Sequence, residues 1–127
     1  MHRPASRLAA PAPTAPTPGV AVSVRALSHD YETEAGALVV LDQVSLDIPR
    51  GGYVALTGPS GAGKTTLLSI IGGLERPQRG QVIVGDDDVG RLDGDRLAGY
   101  RRRTVGFVFQ HFGLLDTLSA LENVELA

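Results

Sequence analysis

Cysteine and tryptophan are absent from this 127-residue sequence, and its aromatic residues are three tyrosines and three phenylalanines. Without cysteine the chain can form no disulfide framework, no thiol-based active site and no cysteine-based zinc site. The formal net charge of −2 gives no overall basic footprint, so no nucleic-acid partner is expected. No stretch approaches the roughly 20 apolar residues of a transmembrane helix. We therefore expect any association with a membrane to come through a partner protein.

Lysine is nearly absent as well. Lysine and arginine together number 12, and Lys64 is the only lysine among them. The two residue types are not equivalent at a phosphate, because lysine offers a compact, flexible ammonium and arginine a planar fork. A single ammonium kept in a sequence so biased toward arginine draws attention to the residues around Lys64.

Lys64 stands in the segment 58–65, which reads G-x-x-x-x-G-K-T, the pattern of a phosphate-binding loop between a strand and a helix. The apolar run 53–57 before it predicts a buried strand. The residues 66–71 after it predict a helix, which the glycines 72–73 would end. Glycines in the loop let phosphate oxygens approach consecutive backbone N–H groups, and the helix presents its positive dipole end to the anion.

The candidate nucleotide-binding residues are therefore those of the loop and of the first helical turn. Lys64 can reach the β- and γ-phosphates, and the Thr65 hydroxyl can ligate Mg²⁺. The alternative is a glycine-rich turn from strand to helix that binds no ligand. The other members of the predicted cradle are Gly58, Pro59, Ser60, Gly61, Ala62, Gly63 and Thr66.

The rest of the chain divides into a tail and one partial domain. Residues 1–19 hold five of the eight prolines and predict a disordered tail, while residues 20–127 form the domain. Ahead of the loop, alternating apolar residues predict an antiparallel layer beside a parallel core, with an acidic loop at 32–36. The elements expected beyond the loop are a strand at 81–85, a helix from Asp93 to about Arg102, a strand at 105–109 and a helix opened by the capping box 119–122.

Residues from about 20 to 127 resemble the first half of the ATPase subunit of an ATP-binding cassette (ABC) transporter. The segments that carry the resemblance are 41–48, the phosphate loop, 70–74 and 105–110. The resemblance implies an α/β fold, a P-loop NTPase core with an antiparallel β subdomain, of which the chain holds the N-terminal half. The segments 107–110, 114–115 and 120–124 are similar to the lipoprotein-releasing and macrolide-export type within the family.

The resemblance also implies roles for two further residues. Tyr31 matches the aromatic residue that stacks on adenine; the alternative is an ordinary tyrosine on an edge strand. Gln110 matches the catalytic glutamine that reaches the Mg²⁺ and the attacking water and senses the transmembrane partner; the alternative is a polar residue that leaves a strand. The segment 111–117 would then lie against the membrane subunit.

A member of this family is expected to bind ATP and Mg²⁺ and to hydrolyse ATP. It would act as a homodimer with a transmembrane permease subunit, peripherally at the cytoplasmic face of the plasma membrane. The second nucleotide motif, the signature loop and the switch histidine of the family are not found in the sequence. We therefore expect this chain to be a fragment that is inactive alone. The alternatives are a non-catalytic nucleotide-binding fragment and another P-loop NTPase or kinase.

Two charged runs are interpreted as structural. The aspartates 86–88 lack the spacing of a calcium loop and fit a solvated hairpin turn. The arginines 101–103 lie where a helix would end, and cations at a helix C-terminus are compatible with its dipole.

Overall fold

The computed structural model describes residues 19–110 and 113–126. The predicted tail, apart from Gly19, lies outside these residues, as do positions 111 and 112 of the segment expected to face a membrane partner. A short 3₁₀ turn occupies Val89–Arg91. The strands are β1 (Val22–Thr33), β2 (Gly36–Ile48), β3 (Arg79–Val84) and β4 (Asp87–Asp88), and the helices are α1 (Lys64–Ile71), α2 (Gly94–Thr104) and α3 (Ala120–Leu126).

The four strands form one antiparallel sheet in the order β2-β1-β3-β4. The central strand is β1, and its Val24 faces Leu46 on one side and Val82 on the other. The predicted antiparallel layer is confirmed. The predicted acidic loop is shorter than expected, because Thr33 still pairs with Gly36 and only two residues separate β1 from β2.

The strand β1 contains a bulge over residues 25–28, where the register of both of its ladders shifts. Ala26 and Gln43 have φ angles of 45° and 48°, in the left-handed region. Two serine hydroxyls accept the backbone bonds that the bulge interrupts. The Ala26 N–H donates to Ser45 Oγ at 2.9 Å, and the Gln43 N–H donates to Ser28 Oγ at 2.9 Å. These two N–H groups therefore keep acceptors where the register of the strands shifts.

The hydrophobic core lies between the sheet and the helices α1 and α2. Leu67 and Ile70 are the buried apolar positions of α1, as their i, i+3 spacing predicts. Tyr100 of α2 is 1% exposed, and its hydroxyl donates to the carbonyl oxygen of Ile71 at 2.5 Å. Burial and the negative charge of Asp87 raise the pKa of Tyr100 to about 12. The remaining buried apolar residues are Val24, Leu27, Leu41, Val82, Val84, Val89 and Leu92.

Two predicted strands are wrong for this structure. Residues 53–57 and 105–109 form no sheet ladder within the described part of the chain. A strand requires a hydrogen-bonding neighbour, and no described strand runs beside either segment. Tyr53 is accordingly 94% exposed and the Val108 side chain is fully exposed. The parallel core is therefore not formed by these residues, whereas the strand predicted at 81–85 is confirmed as β3.

Of the two predicted N-terminal helix caps, the structure contains the one of α3 but not the one of α2. Asp93 occupies the position before α2, but its side chain makes no capping hydrogen bond, so that part of the prediction is wrong. Its backbone oxygen instead accepts from the N–H groups of Arg96 and Leu97. The capping box of α3 is confirmed, because Ser119 N–H donates to Glu122 Oε2 at 2.8 Å and Glu122 N–H donates to Ser119 Oγ at 3.3 Å. Across the described ranges no helix has the length and hydrophobicity of a membrane span.

Candidate functional site

The predicted phosphate loop bends at three glycines before it enters α1. Gly58, Gly61 and Gly63 have φ angles of 154°, 79° and 82°, all in the region that favours glycine. A Cβ on Gly63 would collide with the carbonyl oxygen of Val40 and would lie 2.9 Å from Leu41 Cδ2. A Cβ on Gly61 would meet nothing within 4 Å. Packing against β2 therefore requires glycine at position 63, a reason that the motif alone does not reveal.

The N-terminus of α1 is available to an anion. Gly63 stands at its N-cap and no side chain caps the helix. The first N–H groups of a helix have no intrahelical acceptor, and the helix dipole adds a partial positive charge there. This is the arrangement that binds phosphate groups at many helix N-termini.

The Lys64 ammonium lies within the bend. Its Nζ donates to the carbonyl oxygens of Gly58 at 2.9 Å and Pro59 at 2.5 Å. These carbonyls are neutral acceptors, and a phosphate oxygen would form a stronger, charge-assisted bond with the same ammonium. The positive charge is thus already in the loop before any ligand arrives.

The predicted site residues meet at one cavity of about 430 Å³. Leu38 and Val40 of β2 supply part of its wall. The predicted residues Gly58, Pro59 and Ala62 belong to the bend but do not line the cavity. Those that do are Tyr31, Ser60, Gly61, Gly63, Lys64, Thr65, Thr66 and Gln110.

Tyr31 lies near the end of β1, with 38% of its surface exposed. Its hydroxyl donates to Glu75 Oε2 at 2.8 Å and lies 3.2 Å from Thr66 Oγ1. The hydrogen bond with Thr66 acts to lower the pKa of Tyr31, but burial and the Glu75 carboxylate together outweigh it and raise the pKa. Tyr31 is therefore tied to the helix that follows the phosphate loop.

His29 and Glu75 belong to this region and were not predicted from the sequence. His29 is 4% exposed, and its Nε2 lies 2.9 Å from Glu75 Oε1. Its ring meets the ring of Tyr31 edge-on, with centroids 4.9 Å apart and planes at 71°. Positions 29 and 31 share one face of a strand, which could have paired the two rings. Nothing local predicts the partner at position 75, which lies beyond α1.

Gln110 reaches the cavity from a segment that has no regular structure. The side chain of Phe107 lies against Gly72, where an added Cβ would collide with its ring. The rings of Phe107 and Phe109 stack with centroids 5.4 Å apart. This packing places the exposed Gln110 on the same cavity as Thr65.

The residues of the cavity fit a nucleotide with a hard cation. Thr65, which carries a hydroxyl, and Gln110, which carries an amide oxygen, line the same cavity, and oxygen is the ligand atom that Mg²⁺ prefers. In residues 19–110 and 113–126 no group of three or more acidic, histidine or cysteine side chains could hold a metal ion. Val84 of β3 pairs with Asp87 of β4 across a turn at residues 85–86, which confirms the hairpin interpretation of the aspartate run. Asp88 accepts from Gln81 Nε2 at 2.9 Å and pairs with Arg91 at 3.3 Å.

Comparisons with known proteins agree with this geometry. A family model described as ABC transporter matches residues 41–127. The chain is 47% identical to the methionine import ATP-binding protein MetN 2 of Burkholderia mallei over 97% of the chain and 30% of that protein. It is 42% identical to the macrolide export ATP-binding/permease protein MacB 1/2 of Paracoccus denitrificans over 83% of the chain and 16% of that protein.

A solved structure also supports the match to ATP-binding cassettes. It is the dimeric post-hydrolysis state of the ATP-binding cassette MJ0796 of Methanocaldococcus jannaschii, bound to ADP and Pi. The TM-score is 0.78 at 42% identity, over 83% of this chain and 45% of that one. The chain spans less than half the length of each of these three relatives. With the family model matching 41–127 and the fold matching an ATP-binding cassette, the chain belongs to the ABC transporter family.

Proposed function

We propose that the cavity binds MgATP, with the triphosphate held in the bend that Lys64 closes. The observation that carries this proposal is the convergence of an ammonium, an uncapped helix N-terminus and an aromatic ring on one cavity of about 430 Å³. That volume lies within the usual range of small-ligand sites. The backbone of residues 58–66 supplies the cradle, and Lys64 exchanges the carbonyls of Gly58 and Pro59 for phosphate oxygens.

Thr65 and Gln110 are the residues that would hold Mg²⁺. When bound, the ion neutralises charge on the phosphates. Gln110 would also hold a water molecule near the γ-phosphate, because it is exposed and lines the same cavity as Lys64. The described lining of the cavity contains no carboxylate and no imidazole.

Tyr31 is proposed to stack on the adenine. Its ring is partly exposed at the same cavity, and stacking on an aromatic face is a common way to bind a base. This assignment places the base beside β1 and the phosphates at the start of α1.

The whole protein is proposed to be the ATP-hydrolysing subunit of a transporter. It would form a homodimer and drive a permease from the cytoplasmic face of the plasma membrane. The dimeric state of the solved cassette supports the first part. An apolar groove of about 1050 Å³, which includes the exposed Phe109, Leu114, Leu115 and Val124, supports a docking site for the permease.

Export and import each have support among the relatives. Export or lipoprotein extraction rests on the motif resemblance and on the macrolide-export relative. The methionine-import relative, at 47% identity, favours the opposite direction. The family match itself argues against the kinase alternative.

The test is the affinity of the full-length gene product for MgATP, measured by isothermal titration calorimetry. Lys64→Ala removes a charged hydrogen-bond donor to phosphate, worth about 1.5–3 kcal/mol, so the Kd should rise at least about tenfold. Arg76→Ala is the control, because it removes an exposed positive charge just beyond α1 that does not line the cavity. Equal affinities for Lys64→Ala and the parent protein would overturn the proposal.

A second candidate function is nucleotide binding without hydrolysis by residues 1–127 on their own. The described lining of the cavity, which contains no carboxylate and no imidazole, favours it. An assay of these residues should then show ATP hydrolysis at the background rate beside measurable MgATP binding. Turnover above background that Lys64→Ala abolishes would exclude this candidate.

A further inference from the structure

A chain of polar contacts connects the interior of the protein to the cavity. The Glu75 carboxylate divides its two oxygens between two partners. Its Oε1 lies 2.9 Å from His29 Nε2, and its Oε2 accepts from the Tyr31 hydroxyl at 2.8 Å. The same hydroxyl lies 3.2 Å from Thr66 Oγ1, one residue beyond the proposed magnesium ligand. The contacts therefore join β1, α1 and the turn after α1 at a single tyrosine.

His29 anchors this chain of contacts in the core. It is 4% exposed, and its Nδ1 is buried without a hydrogen-bond partner among the described residues. A proton on Nδ1 would be a buried donor without an acceptor, which is costly. The tautomer that fits has its proton on Nε2, directed at Glu75. The imidazole ring also meets the Tyr31 ring edge-on at 4.9 Å, so the tyrosine is held both at its ring and at its hydroxyl.

We propose that Glu75 and His29 are positioning residues that set the place of the Tyr31 ring relative to the phosphate loop. The inference rests on the proposed function, in which Tyr31 stacks on the base and the loop holds the triphosphate. A partly exposed tyrosine without such contacts is free to change rotamer, and each change must be reversed on binding. Holding the ring in place before binding removes the entropic cost of ordering it and keeps the base and phosphate sites at a fixed separation.

The alternative is that these contacts only join β1 to α1. A merely structural role and a positioning role differ in which ligands they affect. Loss of a structural contact would disturb the phosphate loop and weaken every ligand that binds there. Loss of a positioning contact would weaken only a ligand that carries a base, because only the base meets Tyr31.

The experiment compares two probes on the full-length gene product, MgATP and magnesium tripolyphosphate, by isothermal titration calorimetry. Glu75→Ala and Tyr31→Phe should each raise the Kd for MgATP about fivefold, the usual worth of one hydrogen bond, and leave tripolyphosphate within about twofold. The double variant should lose less affinity than the product of the two single losses, since both changes break the contact between Tyr31 and Glu75. Tyr31→Phe keeps the ring and its packing on His29, so it gives an answer even where Glu75→Ala lowers the melting temperature. Glu32→Ala is the matched control, because that glutamate is exposed and adjacent to Tyr31 and should change neither affinity.

Three results would overturn the inference alone. These are unchanged MgATP affinity in Tyr31→Phe, equal losses for the two probes, and losses that multiply in the double variant. A parent protein that binds neither probe would instead overturn the proposed function, and the inference with it.

Discussion

The antiparallel sheet and its helices bury their apolar side chains, whereas segment 53–57 before the phosphate loop and segment 105–109 after α2 leave theirs largely exposed. Val24, Leu27 and Val82 in the sheet are 0% exposed. Tyr53 is 94% exposed and Val108 is fully exposed, although both lie in runs that are as apolar as β1 and β3. The difference shows that an apolar run becomes a buried strand only where a second strand satisfies its backbone. Hydrophobicity alone does not create the element.

The largest effect expected from this comparison is at Leu27. Leu27→Ala removes a fully buried side chain from the core and should lower the free energy of unfolding by about 2–5 kcal/mol. Val108→Ala is the counterpart in the exposed segment and should change it by no more than about 0.5 kcal/mol. Urea unfolding of residues 1–127 measures both. Similar losses at the two positions would mean that the segment 105–109 is packed as well as the sheet.

The next effect separates two glycines of the loop. Gly63→Ala forces a Cβ into the carbonyl of Val40 at a positive φ, so we expect the free energy of unfolding to fall by about 3 kcal/mol. Gly61→Ala has the same strained backbone but open space around it, so we expect about 1 kcal/mol. Chemical denaturation of the two variants gives the comparison. A larger loss at position 61 would contradict the contact between the loop and β2.

A smaller effect concerns the link between the two helices that pack on the sheet. Tyr100→Phe removes the hydrogen bond to the Ile71 carbonyl and should lower the free energy of unfolding by about 1 kcal/mol at neutral pH. The pKa of Tyr100 is about 12 in the folded protein and 10.0 without that environment. Above pH 10 the unfolded chain therefore loses this proton first, so the contribution of Tyr100 is complete below pH 10 and declines up to about pH 12.

This pH dependence is tested by measuring the free energy of unfolding of the parent protein and of Tyr100→Phe from pH 8 to pH 11.5. The difference between the two should shrink as the pH rises through 10. A difference that stays constant over this range would show that Tyr100 ionises equally in both states.

The smallest effect is at the exposed capping box of α3. The hydroxyl and backbone N–H of Ser119 hold the pKa of Glu122 below its ordinary value of 4.5. The support that Glu122 gives to the helix is therefore present above pH 4.5 and is lost as the pH falls through the lower, folded pKa. The NMR shift of the Ser119 amide proton should titrate with a midpoint below 4.5. A midpoint at or above that value would mean that the capping contact does not form.

The sequence predicts best those features whose causes are local. The glycine-rich bend at 58–63, α1 and the capping box each follow from spacings of a few residues, and the alternation of Val20, Val22 and Val24 predicts the start of β1. The strand predictions at 53–57 and 105–109 failed because a strand needs a neighbouring strand to hydrogen-bond with, and the local sequence does not show whether one is present. The contact of Gly63 with Val40 was not predictable for the same reason.

The site shows the same division. The motif predicts Lys64 and Thr65, and the family resemblance adds Tyr31 and Gln110, which the fold brings to the same cavity. Glu75 was missed because it lies 44 residues from Tyr31 in the sequence and no spacing rule connects the two. His29 was missed because a histidine on a strand resembles an ordinary core residue.

The most direct test of the central claim is amide NMR of the full-length gene product during a titration with MgATP. The account predicts saturable shifts in the amides of residues 58–66, with those of Gly61 and Gly63 among the largest, and their loss in Lys64→Ala. Shifts that leave residues 58–66 unmoved while other amides respond would place the nucleotide elsewhere and contradict the account.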